Sequence, residues 1–278
     1  MKVKLTTLCE NTAGKPAFAA EWGLSILIET EDTTVLFDTG RSSVALSNAD
    51  KMGIDLRKID RIVLSHGHHD HTGGLRAVLN RTGDMEIVAH PAIWEKKYTK
   101  RPYEAKEAYC GIPFAREELE SLGGLFVLTS QPFALSDRIT TTGEIDMTVD
   151  YETIEPSLLV KEGNKFIPDI FRDDLSIVVR TDEGLVVVLG CAHRGTINTI
   201  HHAQRITGEE RIYAIIGGTH LFPASDERVE RTINELIDLD VKKVGISHCN
   251  GFYASMRVAQ ALGDRFFLNN AGTQITLP

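Results

Sequence analysis

No apolar stretch in this 278-residue sequence approaches the roughly 20 residues that a membrane-spanning helix requires. The start, Met1-Lys2-Val3-Lys4-Leu5, lacks the apolar segment and small-residue cleavage site of a secretory signal. Its four cysteines, Cys9, Cys110, Cys191 and Cys249, are widely scattered and form no Cys-x-x-Cys pair. A disulfide framework is therefore not expected, and a reducing cytoplasm is the expected location. Positive charge is in deficit: 30 Lys and Arg stand against 39 Asp and Glu, a formal charge of −9. That excludes a nucleic-acid footprint spread over the whole surface. No linker-like segment divides the chain, so residues 1–278 read as one domain, long enough for one large core. The expected partner is a small molecule, with neither nucleic acid nor membrane, and the oligomeric state is left open.

What is present is concentrated at residues 65–74, Ser-His-Gly-His-His-Asp-His-Thr-Gly-Gly. Within it His66, His68, Asp70 and His71 follow a His-x-His-x-Asp-His spacing. Neutral imidazoles and a carboxylate suit zinc, iron or manganese. The preceding Arg61-Ile62-Val63-Leu64 reads as a strand, and Gly73 to Arg81 reads as a helix with Leu75, Val78 and Leu79 on one face. Four potential ligands thus sit on a strand-to-helix turn, where rigid elements can aim them at one point. A merely His-rich surface tract would be terminal and polar in context, and this one is neither.

Strands are expected at Val3–Leu8, Ser25–Glu29 and Thr34–Phe37, the last two paired, with a helix from Ser42 or Ser43 to Gly53. Further strands are expected at 86–89, 125–129 and 133–142. The second half reads as a hairpin of Leu175–Arg180 with Leu185–Leu189, a helix at 196–206, a strand at 212–216, a helix at 226–238 capped by Ser225, and a strand at 243–247. A helix at about 253–262 and a strand at 265–268 close the chain. The run Arg61–Leu75 (strand, His-bearing turn, Gly, helix) is echoed by Leu185–Ile200, so two related halves could present ligands to one cleft.

Four ligands from one turn cannot enclose two metals. Cys191, His193, His220 and His248 each follow the end of an apolar strand, where loops converge on clefts. His69, His90, His201 and His202 are not favoured: His69 alternates away from the cleft, His90 precedes Pro91 in a turn, and the last two lie along a helix. Residues 91–124 read as an insertion with one helical stretch, Ala115–Leu122. Lys96, Lys97, Lys100, Arg101 and Lys106 alternate there with Trp94, Tyr98, Tyr103 and Tyr109. Two readings stay open for it: a lid binding an anionic substrate through Lys100 and Arg101, or a solvated basic helix face.

His66-x-His68-x-Asp70-His71, the upstream Leu36-Phe37-Asp38-Thr39-Gly40 and the late Ser247-His248 together resemble the metallo-β-lactamase superfamily over nearly the whole chain. Gly190-Cys191-Ala192-His193-Arg194-Gly195 and Gly217-Gly218-Thr219-His220-Leu221 resemble its dihydropterin-ribofuranosyl-aminobenzene-phosphate synthase-like branch. The resemblance implies a four-layer αββα sandwich and two divalent transition metal ions, zinc foremost, with iron or manganese admitted. His66 and His68 would hold one metal; Asp70, His71 and His248 would hold the other. Asp38 would orient the histidine turn by hydrogen bonds. Cys191 stands where many members carry a bridging aspartate. The superfamily's third histidine for the first metal has no counterpart near Asp174, so His193 is the expected replacement and Asp174 the fallback. A hydroxide shared by two metals would then attack an ester, lactone, amide or phosphoester of a small, anionic substrate. Asp70 would steer that attack and His220 would donate a proton to the substrate or leaving group. Two alternatives accompany this hydrolase: a pterin-related synthase making a methanopterin-type precursor, and a ligand-binding protein that keeps the site without turnover.

Overall fold

The computed structural model describes residues 2–101, 103–222 and 224–278. Two large sheets dominate it. The first half builds a seven-stranded sheet whose order runs Gln274–Leu277, Val3–Cys9, Ser25–Glu29, Thr34–Phe37, Arg61–Val63, Met85–Ala89 and Gly124–Leu128. Its first three neighbour pairs are antiparallel and its last three are parallel. The second half builds a five-stranded sheet in the order Lys243–Ser247, Ile212–Gly218, Gly184–Leu189, Ile177–Thr181 and Ile139–Thr141.

Period-2 strands with apolar residues on both faces need cover on both sides. The inward residues of the two sheets, including Val3, Leu5, Ile26, Ile28, Phe37, Val186, Val188 and Ile216, form one buried layer between them. Outside the first sheet, Leu27, Leu36, Ile62 and Ile87 pack against the helices Val44–Lys51 and Leu75–Thr82 through Ala45, Ala49, Val78 and Leu79. Outside the second, Val187, Leu189 and Ile215 pack against helices Thr196–Thr207, Asp226–Asp238 and Phe252–Leu262 through Ile200, Val229 and Val258. The result is the expected αββα sandwich.

Two expectations change. The strand expected at 265–268 is absent. A 3₁₀ turn at Gly263–Arg265 stands there, and the closing strand is Gln274–Leu277, seated on the edge of the first sheet. The stretch 133–142 contains a strand only at Ile139–Thr141, with a bridge from Ala134 to Thr140. The insertion is not a basic helix face. Lys97–Thr99 lies between Ala108–Tyr109 and Leu158–Glu162, which in turn pairs with Lys165–Pro168, in a separate four-stranded sheet; among the described residues of the insertion, helix is limited to a 3₁₀ turn at Pro91–Trp94 and the α-helix Arg116–Ser121.

Candidate metal centre

Both halves deliver their side chains from strand ends. In the first, Arg61–Val63 leads through Ser65 into the helical turn His69–Thr72. In the second, Gly184–Leu189, Ile212–Gly218 and Lys243–Ser247 are parallel neighbours whose ends present Cys191 and His193, His220, and His248. The halves abut where Gly190 meets Ser65: a Cβ at Gly190 would stand 2.2 Å from Ser65 Oγ. Among the described residues, six non-glycine positions have left-handed φ. Five of them, Asp38, Phe171, Ala192, His220 and His248, lie in or against this site. Such strain costs about 1–3 kcal/mol per residue and persists where the surroundings enforce it.

Asp38 organises the histidine turn. Its Oδ1 accepts the Ser65 N–H at 2.8 Å, and its Oδ2 accepts the Ser65 hydroxyl at 2.7 Å and His71 Nδ1–H at 2.6 Å. Because Ser65 Oγ spends its proton on Asp38, it must accept from His66 Nδ1 at 2.9 Å. The tautomers of His66 and His71 follow: Nδ1 carries the proton and Nε2 presents a lone pair. The same logic fixes His248. Asn11 Nδ2 donates to the His248 carbonyl at 3.1 Å and the Gly23 N–H donates to Asn11 Oδ1, so Oδ1 is an acceptor and His248 Nδ1, 2.9 Å away, is its donor. Glu10 accepts the His248 backbone N–H at 2.8 Å.

The freed nitrogens converge. His71 Nε2 lies 3.2 Å from His248 Nε2 and 3.1 Å from Cys191 Sγ, and Asp70 Oδ2 lies 3.5 Å from His248 Nε2. His66 Nε2 lies 3.1 Å from His68 Nδ1 and 3.3 Å from His193 Nε2. Ligand atoms of His66, His68 and His193, and of Asp70, His71 and His248, each fall within 4.8 Å of one another, as do those of His66, His71 and Cys191. Buried His68 Nε2 and His193 Nδ1 have no hydrogen-bond partner. The Nε2 lone pairs of His71 and His248 face one another and repel unless something positive lies between them. The donor set therefore fits two cations, one per trio, with Cys191 beside both.

Electrostatics agree. Burial, reinforced by neighbouring imidazoles, drives His66 and His193 well below their ordinary pKa; burial does the same to His68 despite Asp70, so all three are neutral imidazoles. Burial alone would raise Asp70, but the facing His248, His71 and His68 hold it far below the usual carboxylate range. Burial would lower His71, yet Asp38 overrides it and keeps its pKa above the ordinary value. Its Nε2 is thus set to take a proton or a metal. Burial pushes the Cys191 thiol well up, so a thiolate there requires a cation alongside.

The remaining expected residues are distributed as follows. His193 stands beside His66, whereas Asp174 falls in none of the ligand trios. Its Oδ2 accepts the Arg194 N–H at 2.8 Å and its buried Oδ1 has no partner, and burial raises its pKa to about 7. His220 is half-buried, its ring centroid 4.3 Å from that of His193, and burial followed by Arg228 lowers its pKa to about 4. Lys100 pairs with Glu107 at 2.8 Å, and the Arg101 guanidinium donates to the Tyr103 hydroxyl. His69, His90, His201 and His202 join no ligand trio among the described residues. His90 Nδ1 instead accepts the Ala92 N–H in the Pro91–Trp94 turn.

Lys97, expected in the basic cluster of the insertion, is fully buried between Asp169 (2.7 Å) and Asp173 (2.9 Å). Asp173 also accepts the Gly67 N–H of the histidine turn at 2.8 Å. Phe171 lies beneath Lys97 and stacks on His193, with centroids 3.8 Å apart. Sequence reasoning missed Glu10, Asn11, Phe171 and this ion triad. An adjacent acid and amide after an apolar strand was the one visible signal for the first two, and nothing in the sequence tied them to a histidine 237 positions away.

Residues 23–133 match the family model of the metallo-beta-lactamase superfamily. The chain is 35% identical over 280 aligned residues to the 7,8-dihydropterin-6-methyl-4-(beta-D-ribofuranosyl)-aminobenzene-5'-phosphate synthase of Methanocaldococcus jannaschii, covering 97% of this chain and 95% of that protein. Among solved structures, Tm1679, a metal-dependent hydrolase of the beta-lactamase superfamily, matches with a TM-score of 0.84 at 29% identity over 98% of both chains. Zn(2+)-bound PqqB from Methylobacterium extorquens shares the fold at 12% identity, with a TM-score of 0.58 over 98% of this chain and 99% of that one.

Proposed function

This chain belongs to the metallo-β-lactamase superfamily, and we propose that it is a dinuclear metal-dependent hydrolase of a small, anionic ester, lactone, amide or phosphoester. The observation that carries the reading is the pair of converging trios, His66–His68–His193 and Asp70–His71–His248, in which Ser65, Asp38 and Asn11 hold the Nδ1 protons of His66, His71 and His248 and leave their Nε2 lone pairs facing inward. In this reading the first trio holds one cation, the second holds the other, and Cys191 lies between. Divalent ions bound there would supply Lewis-acid polarisation of a substrate oxygen and acidify water.

The chain's own groups do the rest. Asp70, ionised and beside His248, orients the attacking water by accepting its hydrogen bond. Asp38 keeps His71 in one tautomer and one orientation. His220, neutral at pH 7 because its pKa lies near 4, contributes a ring N–H to a substrate or leaving-group oxygen as a hydrogen-bond donor. The sheet formed by the insertion and residues 158–168 is the candidate wall for the substrate, with Lys100 and Arg101, which follow its Lys97–Thr99 strand, to meet an anion.

Metal analysis of the purified protein, with a panel of ester, lactone and phosphoester substrates, tests this. Two transition ions per chain and loss of turnover in His66→Ala and Asp70→Ala are the expected results. Absence of metal, or activity unchanged in both variants, would refute it. One observation favours a second reading: the relative 35% identical over nearly the full length is named a synthase of the pterin-linked aminobenzene phosphate. Condensation of a dihydropterin pyrophosphate with an aminobenzene-ribose phosphate by metal-loaded protein would decide for that reaction, and binding of product-like molecules without turnover would decide for neither.

A further inference from the structure

Cys249 follows His248 directly and plays no part in the reading above, yet its sulfur points back across the sheet end. Cys191 follows the Gly184–Leu189 strand, Cys249 follows Lys243–Ser247, and Ile212–Gly218 runs between those strands. That central strand ends in Gly218, which has no side chain. A Cβ there would stand 2.8 Å from Cys249 Sγ and 3.1 Å from Cys191 Cα. Across this gap Cys249 Sγ comes within 3.7 Å of the Cys191 carbonyl oxygen, and ligand atoms of Cys191, Cys249 and His248 all lie within 4.8 Å of one another. The His220 N–H points at Cys249 Sγ from 3.2 Å and holds it in place. On its other side Cys191 Sγ is 3.1 Å from His71 Nε2, in the cleft. All four thiols are free; Cys9 instead donates to Glu21.

We propose that Cys191 and Cys249 form a modification site: a reversible disulfide that withdraws Cys191 from the metal centre when the protein meets hydrogen peroxide in the metal-free state. One sulfur attacks the peroxide, forming an S–O bond and breaking the O–O bond, to give a sulfenic acid and one water. The second sulfur displaces the hydroxyl, forming the S–S bond and releasing a second water. Two electrons pass from the thiols to the peroxide, and both thiol protons end in water. Cys191 cannot be a metal ligand beside His71 and a disulfide partner of Cys249 at once, so metal and linkage exclude each other. That exclusion rests on the assignment of Cys191 to the metal centre; the linkage itself does not.

Chelator-treated wild-type protein, exposed to hydrogen peroxide and mapped by non-reducing peptide mass spectrometry, tests the pair. The expected product is a Cys191–Cys249 linked peptide, reversed by dithiothreitol, with zinc uptake lowered until reduction. Protein preloaded with zinc should form it about tenfold more slowly. Cys191→Ser should give no linked peptide and leave a dimedone-reactive sulfenic acid at Cys249, whose sulfur accepts the His220 N–H, and Cys9→Ser should behave as wild type. Oxidation of the metal-free protein without a 191–249 peptide would overturn the thiol pair. A rate unchanged by stoichiometrically bound zinc would overturn the exclusion. Failure of untreated protein to take up zinc would instead refute the metal assignment, an outcome read before any peroxide is added.

Discussion

At the scale of single residues, the centre is set by which nitrogen of each imidazole carries a proton, and Asn11 decides that for His248. Its amide is anchored at both ends, by the His248 carbonyl and by the Gly23 N–H. Replacing it with Ala frees the ring to turn and to change tautomer. Groups that orient metal ligands are typically worth 10–100-fold in affinity. Asn11→Ala is therefore expected to weaken one zinc site by about that factor and leave the other intact, as read by competitive zinc titration; equal loss at both sites would contradict the assignment. Asp174 supports a prediction of a different kind. Its pKa rises from 3.8 unfolded to about 7 folded because it is buried. A carboxyl raised on folding favours the folded state while protonated. Its contribution is complete below about pH 4 and is lost as pH climbs through 7, by up to about 4 kcal/mol. The buried neutral histidines act in the opposite sense, so the comparison must be between variants. In metal-free protein, Asp174→Asn should gain stability relative to wild type on going from pH 5 to pH 8 in urea titrations. A pH-independent difference would rule this out.

At the scale of elements, the small sheet is tied to the histidine turn by charge. Lys97 reaches from the Lys97–Thr99 strand into a buried pair of carboxylates, and Asp173 passes the constraint on to Gly67. Removing one partner of a buried ion cluster leaves the rest uncompensated, at a cost of about 3–5 kcal/mol. Lys97→Met should be destabilised by that amount in chemical denaturation, and much of it should return when Asp169→Asn and Asp173→Asn are added; additivity of the three changes would argue against a triad. This element was also the least legible in the sequence. Leu158–Glu162 and Lys165–Pro168 are short, half-buried to exposed and of mixed polarity; the first gains order by pairing with Lys97–Thr99 about sixty residues earlier, and the second by pairing with the first. Non-local pairing of this kind leaves no local period to read. The edge strand Gln274–Leu277 was also missed: its polar-apolar alternation spans only four residues and is completed by pairing with Val3–Cys9 at the other end of the chain. By contrast, helix Asp226–Asp238 announces both ends: Ser225 accepts the Arg228 N–H as its cap, and Val229, Ile233 and Leu236 form its buried stripe.

At the scale of the whole molecule, the candidate metal centre lies on the seam between two sheets. The histidine turn was legible because four candidate ligands, three His and one Asp, fall within six residues, and Cys191, His193 and His248 because each follows an apolar strand. The expected preference for His193 over Asp174 beside His66 came from the resemblance, and the geometry behind it was not legible. It depends on a left-handed Ala192 and on Phe171 stacking, neither of which has a sequence period. One consequence concerns stability. His66, His68, Asp70 and His71 belong to the first half, whereas Cys191, His193 and His248 belong to the second, so each trio takes ligands from both. A cation held by either trio binds only when the halves are docked, and so favours the folded state by mass action, about 2.7 kcal/mol at a free concentration one hundred times Kd. Calorimetry of zinc-loaded and chelated protein should show a higher midpoint with zinc, rising further with free zinc. His66→Ala, which removes a ligand of the first trio, should lose part of that increment while changing the chelated midpoint much less. Equal midpoints for loaded and chelated wild type would mean that these side chains do not clamp the seam through metal.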